Sequence, residues 1–225
     1  MDIANRNSLF VVEDNAQAQG AVSNKKRTGS FGILNCTSFY PAKNIGALGD
    51  AGAITTNDAK LAEKLYTLRN YGSKTKYVND IIGHNSRLDE LQAAFLTVKL
   101  KYLDSWNKER QNIAKLYTKN LKNIGDLILP EIASECDSVY HQFVVRTNKR
   151  DKLQIFLQEN EIGSLVHYPI PPHLQKAFSY LKYKKGSFPI AEEIASTCLS
   201  LPIYPGLSAK SIEYVSDIIK KFFKK

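Results

Sequence analysis

Polar side chains follow short apolar or extended runs at several points near the start of the sequence. Asp14 comes directly after an apolar run at residues 9–12, and Gln17 lies three residues later. Ser38 ends a second run, and Lys43 lies five residues beyond it. Function concentrates at the carboxyl ends of strands in open α/β sheets, so a carboxylate, a hydroxyl and an amine at these positions are candidates for chemistry. Taken singly, each residue also fits a turn, a cap or a solvated position.

The sequence lacks the signatures of several enzyme classes. It contains no G-x-x-x-x-G-K-[ST], H-E-x-x-H or G-x-S-x-G motif. The glycines at positions 46, 49 and 52 have the wrong spacing for a dinucleotide-binding fingerprint. A proline turn separates His167 from His173, so we expect no metal site there.

Composition predicts a folded protein with a sizeable core. The 225 residues have a mass of 25.3 kDa, and 43% are hydrophobic and 24% charged. The net charge of +9 suits an anionic partner such as nucleic acid, a membrane surface or a phosphorylated small molecule. The three cysteines lie far apart, which predicts neither a disulfide framework nor a cysteine zinc site. Since no apolar run approaches a membrane span and the start does not resemble a signal peptide, we expect no membrane partner and a cytoplasmic location.

The pattern of apolar residues predicts an α/β protein. The elements expected in the first half are strands at residues 9–12, 37–40 and 53–56, a loop or weak hairpin over 20–32, a helix after an N-cap at Asp58, and a polar loop over 70–87. A long helix is then predicted from Leu88 to about residue 122, with a bend near Ser105.

After about residue 123 the pattern changes to shorter elements. The expected elements are strand 140–147, helix 151–159, strand 163–168, helix 191–198, strand 200–203 and a final helix from Ser208. The final helix should bury an apolar stripe of Ile212, Val215, Ile218, Ile219, Phe222 and Phe223. We therefore expect two domains: residues 1–122, the remainder of a larger sheet domain with its linking helix, and residues 123–225, a smaller α/β domain.

Three long motifs occur in order along the chain: VEDNAQAQG at residues 12–20, SFYPAKNIGALGDAG at 38–52 and GHNSRLDELQAA at 83–94. They resemble the sugar aminotransferases of the DegT/DnrJ/EryC1/StrS family, which are fold-type I enzymes that use pyridoxal 5′-phosphate (PLP) on nucleotide-linked keto sugars. The resemblance runs along the whole chain. It implies the C-terminal part of a fold-type I PLP-dependent transferase, with a partial large sheet domain and a smaller α/β domain.

The resemblance implies roles for five residues of the three motifs. Lys43 matches the Schiff-base lysine, and its amine would afterwards move a proton between the substrate carbon and the cofactor. Asp14, 29 residues earlier, matches the carboxylate that keeps the ring nitrogen protonated. Gln17 matches the residue beside the ring hydroxyl, and Ser38 matches a phosphate ligand. Asn85 matches a phosphate ligand that reaches across from the neighbouring subunit, which implies a homodimer with shared active sites.

Two positions bear on how far the resemblance extends. Lys43 favours transamination, because a related group of dehydratases has histidine there. Gln19 stands where the family often has histidine, but that position is not a core catalytic one.

Family members also begin well before the strand that precedes Asp14, so we expect a truncated chain that lacks a second phosphate loop and the aromatic ring stacked on the pyridine. Whether such a chain binds PLP by itself stays open.

Substrate preference is read from two further segments. Residues 85–95 and 166–175 look most like the branch that aminates C3 of dTDP-3-keto-6-deoxyhexoses, with L-glutamate as the usual donor, for deoxyamino-sugar and cell-surface polysaccharide biosynthesis. Members that aminate C4 are the alternative. His167, Tyr168 and His173 are candidates for the sugar-diphosphate side, and a packed proline-rich turn is an equally good interpretation of them.

Two alternatives come from other classes of protein. A basic nucleic-acid-binding module is compatible with the lysine-rich ends and 10% aromatic content, but no reader motif is present and the basic residues are dispersed. We therefore expect no nucleic-acid partner. The second alternative is a non-catalytic remnant that serves only as a dimerising scaffold.

Overall fold

The chain forms two compact units in the computed structural model, which describes residues 1–224. The first unit contains Met1–Asn107 and Ala133–His141. The second contains Lys108–Ile132 and Gln142–Lys225. These units divide the chain at other places than residue 122, and the domain boundary drawn there stays a prediction.

The first unit is built around a small mixed sheet. Its elements are α1 (Asp2–Arg6), β1 (Val12–Asp14), β2 (Val22–Ser23), β3 (Lys26–Arg27), β4 (Leu34–Ser38), β5 (Gly52–Thr55), α2 (Ala59–Leu68), β6 (Ser73–Thr75), β7 (Val78–Asn79), α3 (Glu90–Leu100), the start of α4 (Leu103–Leu121) and β8 (Cys136–Asp137). The sheet has the order β1-β4-β5, with β1 parallel and β5 antiparallel to β4. Antiparallel ribbons pair β2 with both β3 and β8, and β6 with β7.

The start of α2 follows from its cap. Asp58 Oδ1 accepts hydrogen bonds from the backbone N–H groups of Lys60 at 2.8 Å and Leu61 at 3.0 Å. These are donors that the first turn of a helix otherwise leaves without partners. The predicted N-cap is therefore confirmed, as is the weak hairpin over residues 20–32, which contains β2 and β3.

The expected strand at residues 9–12 is wrong in its position. β1 pairs with β4 only over Val12–Asp14, and Phe10 is 83% exposed. Among residues 1–224 β1 has a strand neighbour on one edge alone, so the preceding apolar run gains no partner to bury it. The polar loop over residues 70–87 also contains a short hairpin, β6–β7, that its composition did not indicate.

The single long helix predicted from Leu88 is two helices. The chain leaves the α-helical pattern at Lys101 and Tyr102, where Tyr102 N–H donates to the Lys99 carbonyl at 2.9 Å, a tightened i→i+3 turn. The break lies before the bend expected near Ser105. Leu96 and Leu103, on either side of the turn, pack into the same core cluster, which also contains Ile45, Ala47 and the half-buried Phe39, Ala51 and Leu88.

The second unit packs helices on a two-stranded ribbon. Its elements are the rest of α4, β9 (Phe143–Arg146), α5 (Arg150–Glu159), 3₁₀ turns at Pro172–Leu174 and Lys176–Leu181, α6 (Pro189–Thr197), β10 (Cys198–Leu201) and α7 (Ala209–Lys224). β9 and β10 are antiparallel. Tyr117 and Phe143 are fully buried with ring centroids 5.1 Å apart, and the Tyr117 hydroxyl donates to the Pro202 carbonyl at 3.0 Å. The core thus has a satisfied polar atom at its aromatic centre.

The final helix confirms its predicted stripe, whereas one predicted strand is wrong. Four of the six stripe residues are buried, and the two phenylalanines near the end of α7 are half-buried. Residues 163–168 form no strand: only Leu165 pairs, through two backbone hydrogen bonds with Ser200. The prolines from position 169 onward cannot donate to a ladder, so the pairing does not resume beyond them.

The helices of residues 1–224 include none with the length and apolar character needed to cross a bilayer. The longest, α4, has 19 residues and carries a charged side chain on nearly every turn.

Replacing Ile219 with alanine should lower the free energy of unfolding by about 2–5 kcal/mol, because this fully buried side chain of α7 would leave a cavity. Urea denaturation followed by circular dichroism measures the loss. Ile155→Ala on α5 is the matched control, since Ile155 is 57% exposed, and it should change stability by less than about 0.5 kcal/mol. Equal losses in the two variants would contradict this packing.

Candidate active site

The pairing of β1 with β4 places Asp14 and Ser38 at one edge of the sheet. The strands are parallel, so both carboxyl ends reach the same edge. Asp14 lies opposite Cys36, and Ser38 is two residues further along β4. Since side chains alternate between the faces of a strand, Asp14, Cys36 and Ser38 share one face. Strand spacings put the Cα atoms of Asp14 and Ser38 roughly 8 Å apart.

A tight turn follows Asp14 and fixes its carboxylate. Asn15 N–H donates to the Cys36 carbonyl at 2.7 Å, which extends the ladder by one bond. Ala16 N–H donates to Asp14 Oδ1 at 3.0 Å, so one carboxylate oxygen caps the turn. Both Asp14 and Gln17 are solvent-exposed, at the two ends of this turn.

The loop after Ser38 carries Lys43. Ser38 Oγ accepts from Tyr40 N–H at 3.2 Å, which leaves its hydroxyl proton to donate elsewhere. Lys43 N–H donates to the Tyr40 carbonyl at 2.8 Å, and Ala47 N–H closes the loop onto the Phe39 carbonyl at 2.7 Å. Lys43 is half-buried. Within residues 1–224 its ammonium has neither a hydrogen-bond acceptor nor an ion-pair partner.

A buried glutamine joins the two ends of this loop. Gln19 is 5% exposed, and its Nε2 donates to the Ser38 carbonyl at 2.5 Å. Its Oε1 accepts from Ile45 N–H at 3.0 Å. The side-chain amide therefore connects the end of β4 to the residue two positions after Lys43.

Two buried asparagines continue this set of bonds. Asn107 Nδ2 donates to the Gln19 carbonyl at 2.9 Å, and its Oδ1 accepts from Asn44 Nδ2 at 2.8 Å. Asn44 Nδ2 also donates to the Val139 carbonyl at 3.1 Å, and Asn44 Oδ1 lies 3.2 Å from His141 Nδ1. Asn44 and Asn107 are 6% and 5% exposed. The residue next to Lys43 is thus anchored in a buried polar network.

Helix α3 holds the far side of the loop. Lys99 Nζ donates to the Gly46 carbonyl at 2.6 Å, and Gln92 Oε1 accepts from Leu48 N–H at 2.8 Å. A Cβ atom at Gly46 would lie 2.2 Å from the Pro41 carbonyl oxygen, so only glycine allows this close return of the chain.

Asn85 lies in the polar loop over residues 70–87 of the first unit. It is exposed and pairs with Asn70 through an isolated backbone bridge. Arg87 Nη1 donates to Asn70 Oδ1 at 3.2 Å, and the Arg87 guanidinium lies over the Tyr71 ring, 5.3 Å from its centroid. Asn85 is therefore displayed at the surface, on a loop with its own supports.

His167 and Tyr168 lie in the second unit. His167 Nδ1 is 2.8 Å from Ser200 Oγ, and burial lowers the pKa of the imidazole, so the ring is neutral at pH 7. Tyr168 is 64% exposed and meets the His167 ring edge-on. Its hydroxyl is accessible to a ligand.

His173 is placed differently, in a packed environment. Its side chain is only 8% exposed, with Nε2 at 2.9 Å from Glu192 Oε1 and the ring 4.8 Å from Phe188. Glu192 also accepts from the N–H groups of Gly186 at 2.8 Å and Phe188 at 3.4 Å. These contacts favour the packed-turn interpretation for His173, and its role as a ligand stays a prediction.

The fold and this site define a class of protein. The α/β chain superposes along its full length on DesV from S. venezuelae with a TM-score of 0.97 and 43% identity, and covers 60% of that chain. Its architecture is thus that of part of a PLP-dependent aminotransferase.

The chain belongs to the DegT/DnrJ/EryC1/StrS aminotransferase family, whose model matches residues 1–220. It is 51% identical over 220 residues to the dTDP-3-amino-3,6-dideoxy-alpha-D-galactopyranose transaminase of Aneurinibacillus thermoaerophilus, with 98% of this chain and 60% of that relative covered. It is 46% identical over 224 residues to the pleiotropic regulatory protein of Geobacillus stearothermophilus, with 99% and 60% covered. The chain spans about 60% of the length of these curated relatives.

The polar network is the part of the site that sequence reasoning missed. Asn44 and Asn107 carry no motif of their own, and 63 residues separate these bonded partners. Gln19 falls inside the first motif, yet its type gave no indication that both ends of its amide are engaged. The one signal in the sequence was position, since Asn44 directly follows Lys43.

Acid should weaken the anchoring of the loop before α6. Hydrogen bonds from Gly186 N–H and then from His173 lower the pKa of Glu192 below its ordinary value of 4.5. The stability that this carboxylate adds is therefore present above pH 4.5 and is lost as the pH falls through the lower folded value. We expect Glu192→Gln to be less thermally stable than the parent at neutral pH, with a difference that shrinks in acid.

Glu193→Gln is the control for this pH series, since Glu193 is exposed and its carboxylate pairs with the Arg146 side chain at 3.3 Å. It should change thermal stability little at any pH. A Glu192→Gln difference that persists undiminished in acid would contradict the assignment of the effect to the carboxylate.

Proposed function

We propose that the chain carries the PLP-binding core of a sugar aminotransferase. The reaction would transfer the amino group of L-glutamate to C3 of a dTDP-linked 3-keto-6-deoxyhexose, in the formation of a deoxyamino sugar for cell-surface polysaccharide. The observation that carries the proposal is the convergence of Asp14 and Ser38 on one sheet face, with Lys43 on the loop that follows. The names of the similar transaminases support the dTDP-sugar substrate and the C3 position.

The residues present fit PLP in their chemistry. A carboxylate, a hydroxyl and a primary amine are the groups that its ring nitrogen, its phosphate and its aldehyde require. When bound, PLP would supply an electron sink for the bond changes at the substrate carbon. Asp14 would accept a hydrogen bond from the ring nitrogen, Ser38 would donate to the phosphate, and Lys43 would hold the aldehyde covalently. Gln17 would lie beside the ring hydroxyl.

Lys43 would hold and move the proton in the reaction. A lysine amine is a competent base only when its pKa falls, which follows from desolvation or nearby positive charge. Lys43 is half-buried, and among residues 1–224 no carboxylate pairs with its amine, so the amine is not held in an ion pair there. The closed loop around it limits the positions that its Nζ can reach, which serves orientation as well as exclusion of water.

Asp14 would keep the ring nitrogen charged. A carboxylate within hydrogen-bond reach favours the protonated form of the nitrogen. The turn bond from Ala16 N–H to Oδ1 holds the carboxylate in one orientation and leaves Oδ2 to face a ligand. Tyr168, and with less access His167, stay proposed ligands of the sugar diphosphate.

A homodimer is the oligomer that we propose. Helix α3 buries Leu96 on one face, yet Leu91, Phe95 and Val98 on the other face are 74%, 45% and 57% exposed. A helix that is apolar on both faces is normally covered on both. The helix follows closely on Asn85, whose exposed amide would reach the phosphate of the partner's site, as the family resemblance implies.

Three further expectations stay proposals. A cytoplasmic location and the absence of a nucleic-acid partner are expected from the sequence.

The third expectation concerns PLP binding by this chain alone. β1 lacks a neighbouring strand on one edge among residues 1–224, so we expect weaker PLP binding than in the longer relatives. A purely dimerising scaffold would bind no PLP, and C4 amination would show in the position of the new amine in the product.

Covalent trapping tests the proposed function directly. The purified chain is incubated with PLP, reduced with borohydride and mapped by mass spectrometry. We expect the cofactor mass on the peptide that contains Lys43, and no such adduct in Lys43→Ala, because the attacking amine is gone. Lys60→Ala on the surface of α2 is the control and should leave the adduct in place. Label that spreads over surface lysines, and persists in Lys43→Ala, would overturn the proposal.

The dimer proposal has its own test on helix α3. Phe95→Asp places a charge in the centre of the exposed stripe, so we expect the sedimentation coefficient to fall to that of a monomer. Thr97→Asp, at an exposed position of the same helix off the stripe, should leave the dimer intact. A dimer that tolerates Phe95→Asp at every concentration measured would rule out this surface as the interface.

A further inference from the structure

The side-chain amide of Gln19 is fully used by the backbone on either side of the Lys43 loop. Its Nε2 donates to the Ser38 carbonyl at 2.5 Å and lies 3.4 Å from Thr37 Oγ1, and its Oε1 accepts from Ile45 N–H at 3.0 Å. At 5% exposure no solvent competes for these bonds. The amide therefore binds a backbone carbonyl and a backbone N–H, as the main chain of a neighbouring strand does in a sheet.

The two anchor points of Gln19 enclose both proposed cofactor ligands. Ser38 is the residue whose carbonyl is bound, and Lys43 lies two residues before Ile45. The segment between them has no regular secondary structure. Its backbone bonds include one within the loop, from Lys43 N–H to the Tyr40 carbonyl at 2.8 Å, and one to the chain before β5, from Phe39 N–H to the Ala51 carbonyl at 2.8 Å. Gln19 is thus the side chain that relates the end of β4 to the lysine.

The position of Gln19 is itself fixed from behind. Its backbone carbonyl accepts from Asn107 Nδ2 at 2.9 Å, and Asn107 also holds Asn44, the neighbour of Lys43. A Cβ atom at Gly20 would lie 2.7 Å from Asn107 Nδ2, so any side chain at this position would crowd the amide that binds Gln19. The anchor is rigid because each of its members is buried and bonded.

We infer that Gln19 is a positioning residue that holds the Ser38 hydroxyl and the Lys43 amine in register for one cofactor, through bonds that do not depend on pH. The inference rests on the proposed function. A glutamine side chain supplies N–H donors and a carbonyl acceptor at every pH, whereas histidine supplies both a donor and an acceptor only in its neutral form. A protonated imidazole has two donors, so Ile45 N–H would lose its acceptor. Among residues 1–224, the titratable groups beside this network include His141 next to Asn44, Lys99 on the Gly46 carbonyl at 2.6 Å, and the Arg27–Asp104 ion pair at 3.0 Å near Gly20.

The test compares the parent with Gln19→Leu and Gln19→His. The measured quantities are the dissociation constant for PLP and the amount of borohydride-fixed cofactor on Lys43, from about pH 8 down to about pH 5. We expect Gln19→Leu to bind PLP roughly 10- to 100-fold more weakly at all pH values, because two buried backbone groups lose their partners. Gln19→His should bind within about threefold of the parent near pH 8 and approach Gln19→Leu below about pH 6.

A second readout on the same proteins needs no cofactor. Amide hydrogen exchange at Ile45 should be faster in Gln19→Leu at every pH, and in Gln19→His only in acid, relative to the parent at the same pH. Gln158→Leu, on the exposed face of α5, is the matched control and should change neither quantity. If Gln19→Leu does not fold, the pH profile of Gln19→His alone decides.

The outcomes separate the inference from the proposed function. Failure of the parent to attach PLP to Lys43 overturns the proposed function, and Ile45 exchange then still shows whether Gln19 anchors the loop. Attachment in the parent with unchanged PLP binding in Gln19→Leu overturns the inference alone. A Gln19→His to parent ratio that is flat with pH overturns it as well.

Discussion

The parallel pairing of β1 with β4 is the constraint on which the candidate site depends. The register Asp14↔Cys36 brings the end of each strand to one edge and places Asp14 and Ser38 on one face. A slip of one residue would turn either side chain to the opposite face, because the side-chain period of a strand is two. The sheet is small, and β1 has one neighbouring strand among residues 1–224. Few hydrogen bonds therefore maintain the register that puts Asp14 and Ser38 on one face.

Buried side-chain amides position the loop that carries Lys43, which the strands alone do not fix. A strand end orients Ser38, but it leaves the following loop free, and Lys43 lies in that loop. The Gln19 side chain binds backbone groups at both ends of this loop, and Asn107 binds the Gln19 carbonyl and the side chain of Asn44, which lies in the loop. All three residues are at 6% exposure or less. Such groups are costly to bury unless every donor and acceptor has a partner, so a satisfied network rigidifies its surroundings. Buried polar groups thus hold the loop that carries the proposed catalytic amine of Lys43.

In the second unit, the residues of the segment 166–175 lie in different environments. His173 is held between Glu192 and Phe188 and supports the loop before α6, whereas Tyr168 projects into solvent. His167 lies between these extremes, bonded to Ser200 and neutral at pH 7. One motif therefore contains a structural histidine and an accessible phenol. The prolines between them allow this, since they end the chain's pairing with β10 and turn it outward.

The sequence by itself determined the family, the residue types of the site and the elements whose signals are local. The Asp58 cap and the stripe of α7 belong to this group, because a cap or a helical face is specified by residues within a few turns. Tertiary structure alone decided the break between α3 and α4, the displaced strand β1 and the anchoring of the Lys43 loop. Leu96 and Leu103, on either side of that break, lie in one core cluster. Gln19 and Asn107 are bonded across 88 positions, a distance over which no local pattern carries information.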